Sequence, residues 1–300
     1  MDLSHFLMWA NIGQIVLPFV LCVLLVPLER AFPRRQGAES FAPRWRANAL
    51  IAVAGILVAL LVGRVMTPVL AKFGGSINVV SIAALPIPDA AKVISSLLIL
   101  DFIAYLLHLL SHKIGILWRL HQIHHCDNHF DASTGLRHQP LEGAINLCLL
   151  IVCYAALGLP LVVIAIYGVM LAAHSVFSHA NLAIPPRVDR LLRLVIVTPD
   201  LHRIHHSVDP QQYNGNYGQI LPWWDWMFGT LRTVSSEQQM QLNLGVQELG
   251  DCNQASAMKL ILLPFRSPKS SAQRRQERLR GRTSTSRSIK ARRPAGERKK

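Results

Sequence analysis

The residues of this 300-residue chain best suited to chemistry are its histidines. Of thirteen, all but His5 lie between positions 108 and 206, in the stretches HLLSH, HQIHH, HSVFSH and HRIHH and at two further positions, His129 and His138. His108 and His112 are four apart, while His121, His124, His125 and again His202, His205, His206 repeat an i, i+3, i+4 spacing. On a helix that spacing places the rings of each stretch on one face, where they can grip a metal. His174 and His179 are five apart, so a helix end or bulge must lie between them if both are ligands. Imidazole suits iron, zinc, copper and nickel, so the ligand type does not name the metal. Ten clustered histidines exceed the needs of one ion and match two. The four-ligand Cys/His sets usual for structural zinc are missing. Cys22, Cys126, Cys148, Cys153 and Cys252 form no C-x-x-C pair and read as reduced core residues. His5 and His129 read as ordinary surface or core residues.

The elements that must position these rings are membrane helices. The chain is 51% hydrophobic and 16% charged, which is unusual for a soluble protein. Apolar stretches at about 6–28, 47–71, 91–110 and 144–177 are long enough to cross a bilayer. The last is too long for one span and carries Gly158 and Pro160 near its middle, so it predicts a tight helical hairpin or two shorter paired helices. An all-α, polytopic membrane bundle of about four spans with a helical, histidine-rich cap is expected. Arg30, Arg34, Arg35, Arg44 and Arg46 between the first two spans place that loop in the cytoplasm, the amino terminus outside, and the histidine site and carboxy terminus inside. The first apolar stretch lacks a preceding basic region, which argues against a cleavable signal peptide.

The net charge of +14 comes largely from a tail beginning at about 266. That tail has almost no large apolar residues; it is expected to be disordered and to meet anionic phospholipid. Without a fold or interleaved aromatic residues it does not read as a nucleic-acid module.

Asp101, Tyr105, His108 and His112 form one stripe down the third span, so Asp101 should face the bundle interior and accept a hydrogen bond from a ligand imidazole. Thr198 and Pro199 fit an N-cap and first turn for the HRIHH helix. Trp223, Trp224, Trp226 and Phe228 read as an interfacial belt or core packing.

The boxes H-x-x-x-H, H-x-x-H-H and H-x-x-H-H resemble those of the membrane fatty acid hydroxylase and sterol desaturase superfamily. The likeness covers about 95–232 and includes Trp118-Arg119, Arg137 with Pro140 and Glu142, His179-Ala180-Asn181, Thr198-Pro199, Asn216-Tyr217-Gly218, Trp224-Asp225 and Phe228-Gly229-Thr230. Where relatives read Arg-Phe-His-Pro this chain reads Arg137-His138-Gln139-Pro140, and His138 is left out of the ligand set. The resemblance implies two iron ions, with zinc as a possible substitute, held by His108, His112, His121, His124, His125, His174, His179, His202, His205 and His206. Asp101 and Asp225 would orient the rings, and O2 would be used to oxidise a lipid.

That lipid would be of sterol, carotenoid, fatty acyl, sphingoid or ether type, and hydroxylation is preferred to desaturation. A membrane zinc- or metal-binding protein without redox activity is the alternative of another class. The clusters lie at or beyond span ends, which counts against transport. No haem domain, ferredoxin-like cysteine set or dinucleotide turn is present in the sequence, so a separate cytochrome or ferredoxin with its reductase is implied as electron donor. Three regions are expected: 1–90 with N-terminal spans, 91–235 carrying the catalytic domain, and 236–300 as a cytoplasmic extension.

Overall fold

The computed structural model describes residues 3–36, 42–73, 79–249 and 252–266. Four helices are long and apolar enough to cross a bilayer. They lie in α1 (Leu3–Ala31), α2 (Ala42–Phe73), α3 (Asp89–Lys113) and α5 (Pro140–Leu157), with α4 (Gly115–His125) between the last two. On α1 and α2 large apolar side chains point away from the protein, Val23 being 68%, Leu57 63% and Leu61 62% exposed. Such faces suit lipid rather than water. The chain is a multi-pass membrane protein.

The region expected to form a hairpin divides into α5 and α6 (Leu161–Ser178). Gly158 adopts a left-handed conformation (φ 49°) after α5. Its N–H donates to the Ala155 carbonyl and that of Leu159 to Tyr154, a Schellman closure. Pro160 then precedes α6 with extended backbone. The connection is as short as predicted, yet the arms take different partners: α6 packs along α1 and α5 along α2.

Beyond the spans the cap is built from short helices, α7 (Pro186–Leu192), α8 (Pro199–His205), α9 (Pro210–Tyr213), α10 (Trp223–Met227), α11 (Ser236–Gln241) and α12 (Ala257–Ile261). No strand occurs among the described residues, only isolated bridges such as Ser207 with Leu244. Polar groups at the ends of α1 and α2 tie down the loop after α4. Glu29 accepts the backbone N–H of Ala132 (2.9 Å) and of Asn181 (2.7 Å). Arg44 pairs with Asp127 (2.8 Å) and with Asp131, and Asn48 accepts from Arg137 (2.7 Å). Burial pushes Asp127 up, but the Arg137 and Arg44 guanidiniums outweigh it and hold the carboxyl well below the usual range.

The segment after the cap's core returns to the bundle: Val246, Cys252 and Leu260 share an apolar cluster with Ile51 of α2 and Ile123 of α4. One compact unit therefore runs to Pro264, past the boundary expected at 235. None of the five cysteines forms a disulfide. The basic tail beyond residue 266 lies outside the described residues.

Candidate metal centre

Nine of the ten expected histidines converge in two adjacent groups. His108, His112, His121, His125 and His205 form one; His124, His179, His202 and His206 form the other. Within each group the nitrogens nearest the centre lie within 4.8 Å of one another.

The boxes do not each supply one group, as single faces had implied. Each H-x-x-H-H box is divided: His121 and His125 join the first group and His124 the second, whereas His202 and His206 join the second and His205 the first. The i and i+4 rings lie along one line of the helix and the i+3 ring is rotated off it. The rings at the ends of α4 and α8 meet, His125 on His206 at 4.3 Å and on His205 at 4.6 Å between ring centres, and the offset sends the odd ring across to the other centre.

Ring orientation follows from the partners of the outer nitrogens. His124 Nδ1 lies 3.2 Å from the Arg137 carbonyl, His179 Nδ1 2.6 Å from that of Ser175, His205 Nδ1 2.7 Å from that of Gly215, and His108 Nδ1 2.8 Å from that of Tyr217. A carbonyl oxygen only accepts, so in His124, His179 and His205 Nδ1 carries the hydrogen and Nε2 the lone pair, while His108 Nδ1 also meets the Gln219 amide nitrogen at 2.8 Å. Yet the Nε2 atoms of His124 and His179 sit 3.0 Å apart, and that of His179 is also 3.0 Å from His202 and 3.2 Å from His206.

In the other group His108 Nε2, His205 Nε2 and both His112 nitrogens are buried without a partner. Facing lone pairs and orphaned buried nitrogens are costly unless a cation lies among them. The residues therefore fit one metal ion per group.

Protonation agrees with that fit. Burial, reinforced by neighbouring rings, holds His124, His125, His202 and His206 well below the ordinary histidine range. Burial brings His179 and His205 to about 3. All are neutral at physiological pH, the form that binds metals.

One carboxylate touches the first group. Glu142 Oε1 accepts from His121 Nδ1 at 2.6 Å. The sequence marked Glu142 only as part of the family pattern. The carbonyl partners leave no sequence signal at all, because every residue has one.

Other expected positions fall elsewhere. His174 is buried outside both groups, its Nε2 donating to the Val197 carbonyl at 2.9 Å. Helix α6 ends at Ser178, so His179 leaves the helical path and turns toward α8 while His174 remains within it.

Asp101 accepts no imidazole hydrogen. Its oxygens take Tyr167 (3.1 Å), the Ile220 and Leu221 amides (3.2 Å each) and the Trp224 indole (2.8 Å). Asp225 accepts the amides of Tyr217 (2.9 Å) and Gly218 (2.8 Å) and the Thr230 hydroxyl (2.6 Å). Burial raises Asp225, and these donors work against that rise. Asp225 thus fixes the peptide whose carbonyl receives His108. Thr198 and Pro199 begin α8 as expected, but the Thr198 hydroxyl makes no capping bond. His138 stacks on His124, ring centres 4.3 Å apart at 15°.

A cavity of about 490 Å³ opens below the rings, between α1, α2, α3, α5 and α6. His108, His121 and His138 stand at its upper end and apolar side chains such as Leu100, Leu150 and Leu171 line its depth. Its size is that of a small-molecule site.

Comparison with known proteins gives this arrangement a family. The fatty acid hydroxylase family model matches residues 93–230. An ornithine lipid hydroxylase of Rhizobium tropici is 28% identical over 235 residues, covering 75% of this chain and 67% of the relative. An alkylglycerol monooxygenase of Caenorhabditis elegans is 33% identical over 132 residues, 43% of this chain and 25% of that protein. A very-long-chain aldehyde decarbonylase of Oryza sativa is 28% identical over 145 residues, 46% of this chain and 22% of the relative. The chain thus spans about a quarter of the length of the latter two. No solved structure matches it. Residues 93–230 hold every histidine of both groups, and the match of this segment to the fatty acid hydroxylase family model, with these relatives, supports the fatty acid hydroxylase and sterol desaturase superfamily.

Proposed function

We propose that this protein is a membrane-bound, O2-dependent oxidoreductase that hydroxylates a lipid at a centre of two iron ions held by the nine clustered histidines. The observation that carries the reading is the convergence of buried Nε2 lone pairs, His124 on His179 at 3.0 Å, beside a second histidine group whose His108 and His121 line a largely apolar cavity. A non-haem iron centre of this kind supplies oxygen activation and an oxidant able to take hydrogen from a C–H bond.

The chain's own part is positioning. Carbonyls of Arg137, Ser175, Gly215 and Tyr217, with Glu142, fix the rings' tautomers and directions. The cavity admits an acyl or isoprenoid chain and keeps water from it. Names of relatives support the class: a lipid hydroxylase, an alkylglycerol monooxygenase and an aldehyde decarbonylase. The arginines between the first two spans support a cytoplasmic site with the amino terminus outside. Electrons come from a separate cytochrome or ferredoxin with its reductase, and zinc can take the site when iron is scarce. Charge alone supports attachment of the basic tail to anionic phospholipid.

The test is metal content and oxygen uptake of detergent-purified protein loaded anaerobically with ferrous iron, beside the His124→Ala, His205→Ala double variant. About two irons per chain and lipid-dependent uptake, both lost in the variant, are expected. Iron binding unchanged in the variant would remove the site, and tight zinc with no uptake on a broad lipid panel would favour a non-redox metal protein. Product mass separates hydroxylation, a gain of one oxygen, from desaturation, a loss of two hydrogens.

A further inference from the structure

The cavity wall carries two amide side chains that the metal centre does not use. Gln14 of α1 and Asn146 of α5 both line it, and neither has a hydrogen-bond partner among the described residues. Three hydroxyls in the wall are engaged, Tyr167 with Asp101, Ser175 with the Gly135 carbonyl and Ser111 with the Leu107 carbonyl, while the unpartnered His108 Nε2 and Glu142 Oε2 belong to the metal-centre end. Uncharged amides inside membrane spans are costly when unpaired, and they mark binding paths when they persist.

The position of Gln14 is supported by the neighbouring helix α6. Gly168 of α6 lies against its amide: a methyl group there would come within 2.5–2.6 Å of the Cδ, Nε2 and Oε1 atoms. Glycine leaves the amide its seat in the wall. Asn146 stands one helical turn along α5 from Glu142, the carboxylate on His121. Among the described residues no Lys or Arg lines the cavity, so away from the metal centre a phosphate or carboxylate would find no counter-charge.

We infer that the cavity selects a lipid whose buried portion carries a neutral hydrogen-bonding group, an amide or a hydroxyl, and that Gln14 and Asn146 are its specificity-determining residues. Each side chain offers a donor and an acceptor, so each matches a group that does both. A plain hydrocarbon chain would leave both amides unpaired and be bound less well. This rests on the proposed lipid-oxidising reading for the identity of the cavity as a substrate site.

The test is photolabelling of iron-loaded, anaerobic full-length protein in nanodiscs, with diazirine-bearing hexadecanamide against diazirine-bearing hexadecane at equal mole fraction. The amide probe is expected to label α5 and α6 residues of the cavity in preference. Gln14→Leu and Asn146→Leu should each cut that preference roughly threefold to tenfold, the value of one neutral hydrogen bond. Gly168→Ala, which keeps both amides but displaces one, should lower it too. Equal labelling by both probes in the unmodified protein, or a preference unchanged in properly melting variants, would overturn the inference. Labelling needs no turnover, so a protein that shows the preference but oxidises nothing would sink the proposed function alone.

Discussion

Glu142 reaches His121 with one oxygen, Oε1 to Nδ1 at 2.6 Å, while its other oxygen, Oε2, is buried without a partner. The first oxygen holds the ring in the tautomer whose Nε2 faces the centre. Glu142→Gln keeps an acceptor and loses the charge, and iron affinity should fall about tenfold to 100-fold. Glu142→Leu should fall further, since nothing then fixes the tautomer. Anaerobic iron titration of both variants reads the difference, and equal affinity for all three proteins would show that the contact is incidental.

His174 and His179 should part company on substitution. His179→Ala removes a member of the four-histidine group and should cost bound iron. His174→Ala should leave iron content intact and lower stability by about 1–3 kcal/mol, because the Val197 carbonyl loses its buried donor. Metal analysis beside thermal melting distinguishes the two; iron loss in the His174 variant would return that residue to the ligand set.

Asp101 is a clasp between α3 and the chain from Ile220 to Trp224. Replacing it with Leu strands the donors of Tyr167, Ile220, Leu221 and Trp224. Each orphaned donor costs about 1–3 kcal/mol, so folded yield should drop sharply. Asp101→Asn keeps acceptor capacity on one oxygen and should rescue part of it. Iron per folded chain should stay unchanged in the Asn variant, as measured after removal of aggregates by size-exclusion chromatography.

Arg44 is buried between Asp127 and Asp131. Arg44→Met leaves two carboxylates facing each other without their shared cation. Breaking a buried pair costs about 3–5 kcal/mol. A large loss of melting temperature is expected, and simultaneous Asp127→Asn, Asp131→Asn replacement should recover some of it. Absence of recovery would mean that the arginine stabilises through packing rather than charge.

The spans and the three histidine boxes were legible because each rests on local chemistry: apolar length for the helices, imidazole spacing for the boxes. The division of each box between two centres was not, since it depends on α4 meeting α8, segments about 80 residues apart in the chain. Asp101 illustrates the same limit. Its stripe on α3 correctly placed it inside the bundle, but the stripe could not say that residues more than 100 positions later would supply its donors. His179 was readable as far as the need for a helix end before it, and α6 does end at Ser178. His174 has the same side chain, but α6 keeps it against Val197.

The crossed allocation of the two boxes makes the centres share their scaffolding. Whatever organises α4 and α8 for the first ion has already placed His124, His202 and His206 for the second. Uptake should therefore be cooperative: a titration with ferrous iron passes from empty to doubly loaded chains with little of the singly loaded form between. A half-filled protein would be a sign of damage rather than an ordinary stage of maturation.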